Sequence, residues 1–328
     1  MSKKVILITG SNGEIGSSLI KAFNKQNINN IISLDLEQPK DNLNIEKFIV
    51  GSILDKEILN KINNEYEISH IYHLAAILST KAESDPKLAN DVNINGTINL
   101  LDLASLQSRK QNKKIPFFFP SSIAVYNVTQ SEKTKINEYE CCANPITQYG
   151  QAKLECERIG KEYQDVVFRC IRFPGIISGT SIPSGGTSDF APEMVHCAAQ
   201  EIQYNCFVNK EVRIPFIVMP DAIKAVFQIM KVNKNDLHHT AYNITSFSPT
   251  VDDFYMKTKQ FFPSFNMIYK IDDKRQKIVN SWPDKINDHN ARIDWKWNPE
   301  FDFEKAYADY LMPEINFKYK LENKNESN

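Results

Sequence analysis

The chain of 328 residues lacks the features that would mark several protein classes. Lysine and arginine number 39 against 40 for aspartate and glutamate, a formal net charge of -1. No positive excess is therefore available to engage nucleic acid. No apolar run approaches the ~20 residues that a membrane helix requires, so neither membrane nor nucleic acid is an expected partner. The six cysteines (Cys141, Cys142, Cys156, Cys170, Cys197 and Cys206) show no CxxC spacing. Reduced thiols and a cytoplasmic location are expected, with no metal site. There is no internal repeat and no long low-complexity segment. The opening "MSKKVILITG" moves from a short basic start into an apolar run that is too short for a signal peptide. It reads as a first strand.

What is present has a regular order. Hydrophobic residues make up 42% and charged residues 24%, enough apolar material for a sizeable core. Short apolar runs alternate with amphipathic stretches: "KVILIT", then "EIGSSLIKAFNK" with Ile15, Leu19, Ile20 and Phe23 as a helical stripe, then "NIISLD", "KFIVG" and "HIYHLAA". A long helix is expected from about Pro86 to Ser108, followed by "IPFFFPSS", a helix around Tyr149, and "VVFRCIRF". Near-continuous apolar strands separated by helices predict an α/β fold, a doubly wound parallel sheet of the Rossmann-like kind. Ligands of such sheets sit at the carboxyl ends of the strands. The second half is less regular. Residues 1–175 are expected to form the nucleotide-binding domain, with 214–245 returning to it through "MPDAIKAVFQIMK" and "TAYNI". Residues 176–213 and 246–312 are expected to form a smaller substrate lobe, and 313–328 a polar tail.

Between the first strand and the first helix, "TGSNGEIGSS" sets Gly10, Gly13 and Gly16 at GxxGxxG spacing. Glycine permits the tight turn and close backbone approach to a pyrophosphate, and the helix N-terminus supplies amides and a positive dipole end. Asp35 closes the second strand about twenty residues on, where an acidic side chain binds a ribose 2′-hydroxyl and repels a 2′-phosphate. The pair predicts NAD rather than NADP.

In "NPITQYGQAKLE", Tyr149 and Lys153 lie one turn apart on a single helix face. A cation beside a phenol stabilises the phenolate and lowers a pKa that starts near ~10, which would make Tyr149 a general base. A half-buried tyrosine beside a snorkelling lysine gives the same spacing.

The glycine loop, "FFFPSSIAVY" at a strand end and the Tyr149–Lys153 pair together resemble the extended branch of the short-chain dehydrogenase/reductases. The resemblance implies that Ser122, preceded by Ser121, polarises the substrate oxygen. It further implies that Tyr149 takes the hydroxyl proton and that Lys153 holds the nicotinamide ribose. By the same likeness, Asn12, Glu14 and Ile15 of the glycine loop and Ser52 and Ile53 line the cofactor. So do Leu74, Ala75 and Ala76 of "HLAA", Asn93, Pro174 and Ile176. More narrowly, "RFPGIIS", "SGGTSDFAPEM", "NSWPD" and "NDHNARIDWKW" resemble the short-chain type of L-threonine 3-dehydrogenases over about residues 1–310.

That likeness implies oxidation of the C3 hydroxyl of L-threonine by NAD, with Ser79, Gly186 and Thr187 beside Ser122 and Tyr149 at the substrate. It implies a homodimer through helices near 90–108 and 146–162. Four positions depart from the pattern: Ser52 for an aspartate near the adenine, Asn127 and Ser184 for glycines, and Lys296 within the usual "WGW". A nucleotide-sugar epimerase or dehydratase, or an NAD-binding regulator without catalysis, are the competing expectations. Against the first, Pro174 and Gly175 follow Arg172-Phe173 where such enzymes carry an asparagine.

Overall fold

The computed structural model describes residues 3–39, 43–129, 134–140, 142, 144–183 and 185–325. Cys141 and Ser184 lie outside the described residues. The strands are β1 (Lys3–Thr9), β2 (Ile31–Asp35), β3 (Lys47–Val50), β4 (Tyr66–His73), β5 (Ile115–Ser122), β6 (Val166–Phe173), β7 (Gly175–Ile177), β8 (Tyr204–Cys206), β9 (Phe216–Val218), β10 (Ala241–Asn243) and β11 (Met267–Tyr269). In the first half the helices are α1 (Glu14–Lys25), α2 (Lys56–Glu65), α3 (Ser79–Ser84), α4 (Pro86–Asn90), α5 (Gly96–Gln111) and α6 (Gln148–Glu162). The second half adds α7 (Phe190–Ala199), α8 (Met219–Lys231), α9 (Val251–Phe261), α10 (Asp273–Asn280), α11 (His289–Trp295), α12 (Phe303–Lys305) and α13 (Met312–Asn325).

Seven strands pair in the order β10-β6-β5-β4-β1-β2-β3, every neighbour parallel. Because side chains alternate across a strand, each sheet face gets its own core. Val5, Leu7, Ile32, Leu34, Phe117 and Phe119 pack on one side with α5 residues such as Leu100 and Ala104. Ile6, Ile8, Ile31, Tyr72 and Phe118 pack on the other with Leu19, Ile20 and Phe23 of α1 and Val226 of α8. Chain order reverses between β1 and β4. Their carboxyl ends therefore splay apart and open the crevice where a doubly wound sheet binds ligands.

The expected helix from Pro86 to Ser108 is broken. Residues Asp91–Asn95 form a single π turn between α4 and α5, the kind of irregularity that re-aims one side chain. Here it is Asn93, which is buried and donates and accepts at the Ile77 backbone.

Beyond β6 a third core gathers Phe190, Phe216, Phe254, Phe265 and Tyr307 with Trp282. Two-stranded pairings, β7 with β9 and β8 with β11, are its only sheets among the described residues. Trp295 and Trp297, in the stretch expected within the small lobe, instead join Tyr242 and Val226 on the main sheet. Tyr242 meets Trp295 edge-on at 5.9 Å and donates to Asp294 at 2.6 Å. Nor is the segment from 313 an irregular tail. It continues as α13, with Ile315 buried and Tyr319 bonded to His196 of α7.

Candidate active site

The glycine loop divides its labour among its three glycines. Gly10 has φ +68, and a Cβ there would lie 2.4 Å from Ala75 N. At Gly16 a Cβ would strike the Gly10 carbonyl at 2.3 Å, so α1 can pack on the loop only without a side chain. Gly13 is different: its nearest obstacle is at 3.2 Å, leaving the backbone open to the crevice. Gly13 caps α1 without any side-chain hydrogen bond. The first amides of the helix thus remain available to an anion.

A hollow of about 350 Å³ runs from there along Leu34, Asp35, Ser52, Ile53 and Leu74–Leu78. Asp35 accepts from Asn12 N (2.8 Å) and Leu36 N (2.7 Å), which fixes its carboxylate at the end of β2. The side chain of Asn12 turns away to the Glu37 carbonyl. Ser52 lines the hollow while its hydroxyl accepts from Leu54 N. These groups fit a dinucleotide: open amides for the pyrophosphate, a fixed carboxylate for a ribose diol, apolar walls for a base. Asn93 is not among the lining residues. Both ends of its amide are engaged by Ile77, so it shapes the wall at one remove.

A second hollow, of about 210 Å³, adjoins the first through Glu14, Ile15, Leu74, Ala76 and Leu78. It brings together Ser79, Ser122, Tyr149, Lys153, Pro174, Ile176, Gly186 and Thr187. Ser122 ends β5, and its hydroxyl accepts from Ala124 N as it caps the following turn. Thr147 caps α6 through Gly150 N. Gly150 itself, unremarked in the sequence, lets α6 press on that turn, since a Cβ would lie 2.1 Å from the Ala124 carbonyl. Tyr149 is thereby brought to the β5 end.

Tyr149, Lys153 and Glu157 succeed one another at four-residue intervals. Glu157 forms a buried bidentate pair with Arg172 of β6 (2.9 and 2.6 Å) and accepts from Ser121. Arg172 donates onward to Tyr126 and the Glu138 carbonyl. This network ties the face of α6 that carries Tyr149 and Lys153 to the sheet.

The expected lowering of the Tyr149 pKa is opposed by burial, which pushes the phenol up to about 12. Lys153 donates to the Pro120 carbonyl at 2.6 Å, and its Nζ lies 5.5 Å from the Tyr149 ring centre. Desolvation pulls Lys153 itself down to about 8. Removing water costs a buried charge more than one neighbour at this distance returns. Glu14 is raised as well, by its surroundings and by the facing Asp189 carboxylate, with the Ser178 hydroxyl opposing. His73 is buried and neutral, bridging Thr9 and Thr97 at 2.9 Å on either side.

Sequence reading passed over Trp282, Asp189 and Pro192, which also line the second hollow. The "NSWPD" motif was a signal for Trp282. Asn127, one of the departures, has no positive φ and donates to the Asn144 carbonyl, so its backbone does not require glycine. Among the described residues no group of three or more His, Cys, Asp or Glu side chains is placed to hold a metal.

A dinucleotide groove that opens onto a serine, a tyrosine and a lysine is the apparatus of a nicotinamide-dependent oxidoreductase or epimerase. The chain belongs to the NAD dependent epimerase/dehydratase family, whose model matches residues 6–245, and its cofactor is NAD. It is 32% identical over 314 residues to the mitochondrial L-threonine 3-dehydrogenase of Bos taurus, covering 93% of this chain and 81% of the bovine protein. Among solved structures it resembles a monomeric L-threonine 3-dehydrogenase from a metagenome, with 38% identity and a TM-score of 0.86 over 96% of this chain and 100% of that one. The L-threonine dehydrogenase of Clostridium difficile aligns with a TM-score of 0.87 and 31% identity, covering 97% of this chain and 99% of the other.

Proposed function

We propose that the protein oxidises the C3 hydroxyl of L-threonine with NAD, giving 2-amino-3-oxobutanoate and NADH. The observation that carries this reading is the second hollow, where Ser122, Tyr149 and Lys153 share walls with Ser79, Gly186 and Thr187. At about 210 Å³ it is smaller than the roughly 300–1,000 Å³ of sites for larger ligands, which suits a small zwitterion better than a nucleotide sugar.

Each side chain then has a task. Ser122 hydrogen-bonds the C3 oxygen, and Tyr149 as phenolate accepts its proton. Lys153 holds the ribose and, as an ammonium, favours the phenolate. The Thr187 hydroxyl and the amides of its loop receive the substrate carboxylate, with Ser79 opposite. Gly10, Gly13, Gly16 and Asp35 hold the adenosine end. NAD supplies the hydride acceptor and a positively charged ring. Burial pushes the phenol up to about 12, and the charges of Lys153 and of the nicotinamide ring would both favour the phenolate.

For assembly, the family expectation is a homodimer through α5 and α6. Their outward positions include Asp102, Arg109, Glu155 and Arg158, with Leu106 the large apolar side chain exposed on α5. Sedimentation tests whether this face pairs. No described helix is long and apolar enough to cross a membrane. Cys156, Cys170, Cys197 and Cys206 are thiols, which suits a cytoplasmic location.

The reaction is tested by following NADH absorbance with purified protein, NAD and L-threonine, beside L-serine, L-allo-threonine and UDP-glucose. Turnover with L-threonine and not with UDP-glucose is expected. Tight NAD binding with no threonine turnover would overturn the reading in favour of a sugar nucleotide or a regulatory role.

A further inference from the structure

The loop that carries Gly186 and Thr187 is held by side chains from three directions. Thr80 of α3 donates to the Gly185 carbonyl at 2.5 Å. Asp189 accepts from Gly186 N at 2.6 Å. From α10, Arg275 donates through Nη2 to the Gly186 carbonyl at 2.5 Å. The Arg275 guanidinium lies 3.1 Å from the centre of the Phe207 ring, itself part of the small-lobe core. Its Nε is buried without a hydrogen-bond partner among the described residues. Arg275 is thus a planar cation fixed by stacking, with a single main-chain acceptor in the loop.

We infer that Arg275 is a positioning residue for substrate binding, acting through the Gly186–Thr187 peptide. Among the described residues no peptide bond is cis, so the N–H of this peptide points opposite to its C=O. Arg275 draws the carbonyl toward α10, which turns the Thr187 amide the other way, toward the hollow that Thr187 lines. Among the described residues nothing accepts from that amide. The Thr187 hydroxyl lies 3.4 Å from Ser79 Oγ, and both residues line the hollow. Gly185 has φ +88 with open space around it, so this stretch can rotate unless side chains prevent it. The groups around Arg275 are mainly acidic or hydroxylic. Glu193, which accepts from Tyr204 at 2.8 Å, feels its charge, and Asp189 anchors the other end of the loop. Arg275 lines neither hollow, so its effect is expected on affinity for the carboxylate rather than on the proton transfer.

This rests on the threonine reading, and the test separates the two. Arg275→Met is expected to raise KM for L-threonine about 10- to 100-fold, the effect of losing one charge-assisted hydrogen bond. The fall in kcat should be smaller, and Kd for NAD should not change. Arg275→Lys, which keeps a donor without the stacked fork, should recover part of the loss. Amide hydrogen exchange gives a readout that needs no substrate: the Gly185–Ser188 amides should exchange faster in Arg275→Met than in the unmodified protein. Phe207→Leu, which removes the ring and leaves the donor, should produce the same pattern more weakly. Unchanged loop exchange overturns the inference, whatever the substrate proves to be. So does a loss shared equally by NAD affinity and kcat. Faster exchange without threonine turnover in any form would uphold the positioning role and remove the threonine reading instead.

Discussion

The two hollows adjoin each other, yet they are built by different means. The cofactor groove is made mostly of main chain. Three glycines within seven residues and the end of β2 form it, and the contacts that shape Gly10 and Gly16 are backbone to backbone. The substrate end depends on reach. Thr80, Asp189 and Arg275 hold one short loop, and Arg275 is 89 residues from the carbonyl it grips. A site coded in backbone conformation sits near its own sequence signal. A site coded in side-chain reach is dispersed along the chain and assembles only when the fold is complete.

The largest expected effect breaks the comparison in the second hollow, at Tyr149. Tyr149→Phe keeps the ring and its packing while deleting the hydroxyl. Turnover should fall about 10²- to 10⁴-fold, the usual range for a lost general base, while the groove still binds NAD. Fluorescence titration with NADH and initial rates on the same preparation give both numbers. A variant that keeps its turnover would remove Tyr149 from the proton path. A variant that loses NAD affinity in proportion would mean that the two hollows are not separable.

An intermediate effect is expected at Asp35. Its carboxylate accepts from Asn12 N and Leu36 N at the wall of the first hollow, so Asp35→Ala removes a charged acceptor from the groove alone. KM for NAD should rise roughly 10- to 100-fold, by the loss of a hydrogen bond to a charged group, with KM for threonine little changed. The preference against NADP should relax at the same time, because the repulsion of a 2′-phosphate is gone. Strict NAD use in that variant would show that other groups enforce the choice.

These differences explain what could be read from the sequence. The parallel sheet, the glycine loop, the place of Asp35 at the end of β2 and the Tyr149–Lys153 spacing were legible because each depends on periodicity or on short spacings along the chain. Ser79 and Thr187 were reached through resemblance. The π turn at Asp91–Asn95 was not legible, since an amphipathic pattern carries no mark of one inserted residue. Nor was the part played by Asn93, whose amide serves Ile77 across the fold. Trp295 and Trp297 fall in the stretch expected within the small lobe yet pack with Tyr242 and Val226, because apolarity says that a side chain will be buried, not where. The direction of the Tyr149 pKa failed for a related reason: proximity to a cation shows in the spacing, and the water lost around the phenol does not.

The smallest effect tests whether backbone coding extends into the second half. At the end of α11, Lys296 has φ +58 and ψ 34, a left-handed conformation where the family pattern carries glycine. A side chain there costs about 1–2 kcal/mol through the crowding of its Cβ. Its ammonium returns little, a 3.3 Å contact to the Ile293 carbonyl in an exposed setting. Lys296→Gly removes the crowding but adds freedom to the unfolded chain, which offsets roughly half of the gain. The net expectation is a stabilisation of about 0.5–1 kcal/mol, a rise of about 1–3 °C in thermal midpoint for a chain of this size. NAD and substrate affinities should not move, since Lys296 lines neither hollow. A fall in the midpoint would mean that the lysine makes good its own strain. The left-handed position would then be paid for by side-chain contacts, and the second half would owe its local geometry to reach here as well.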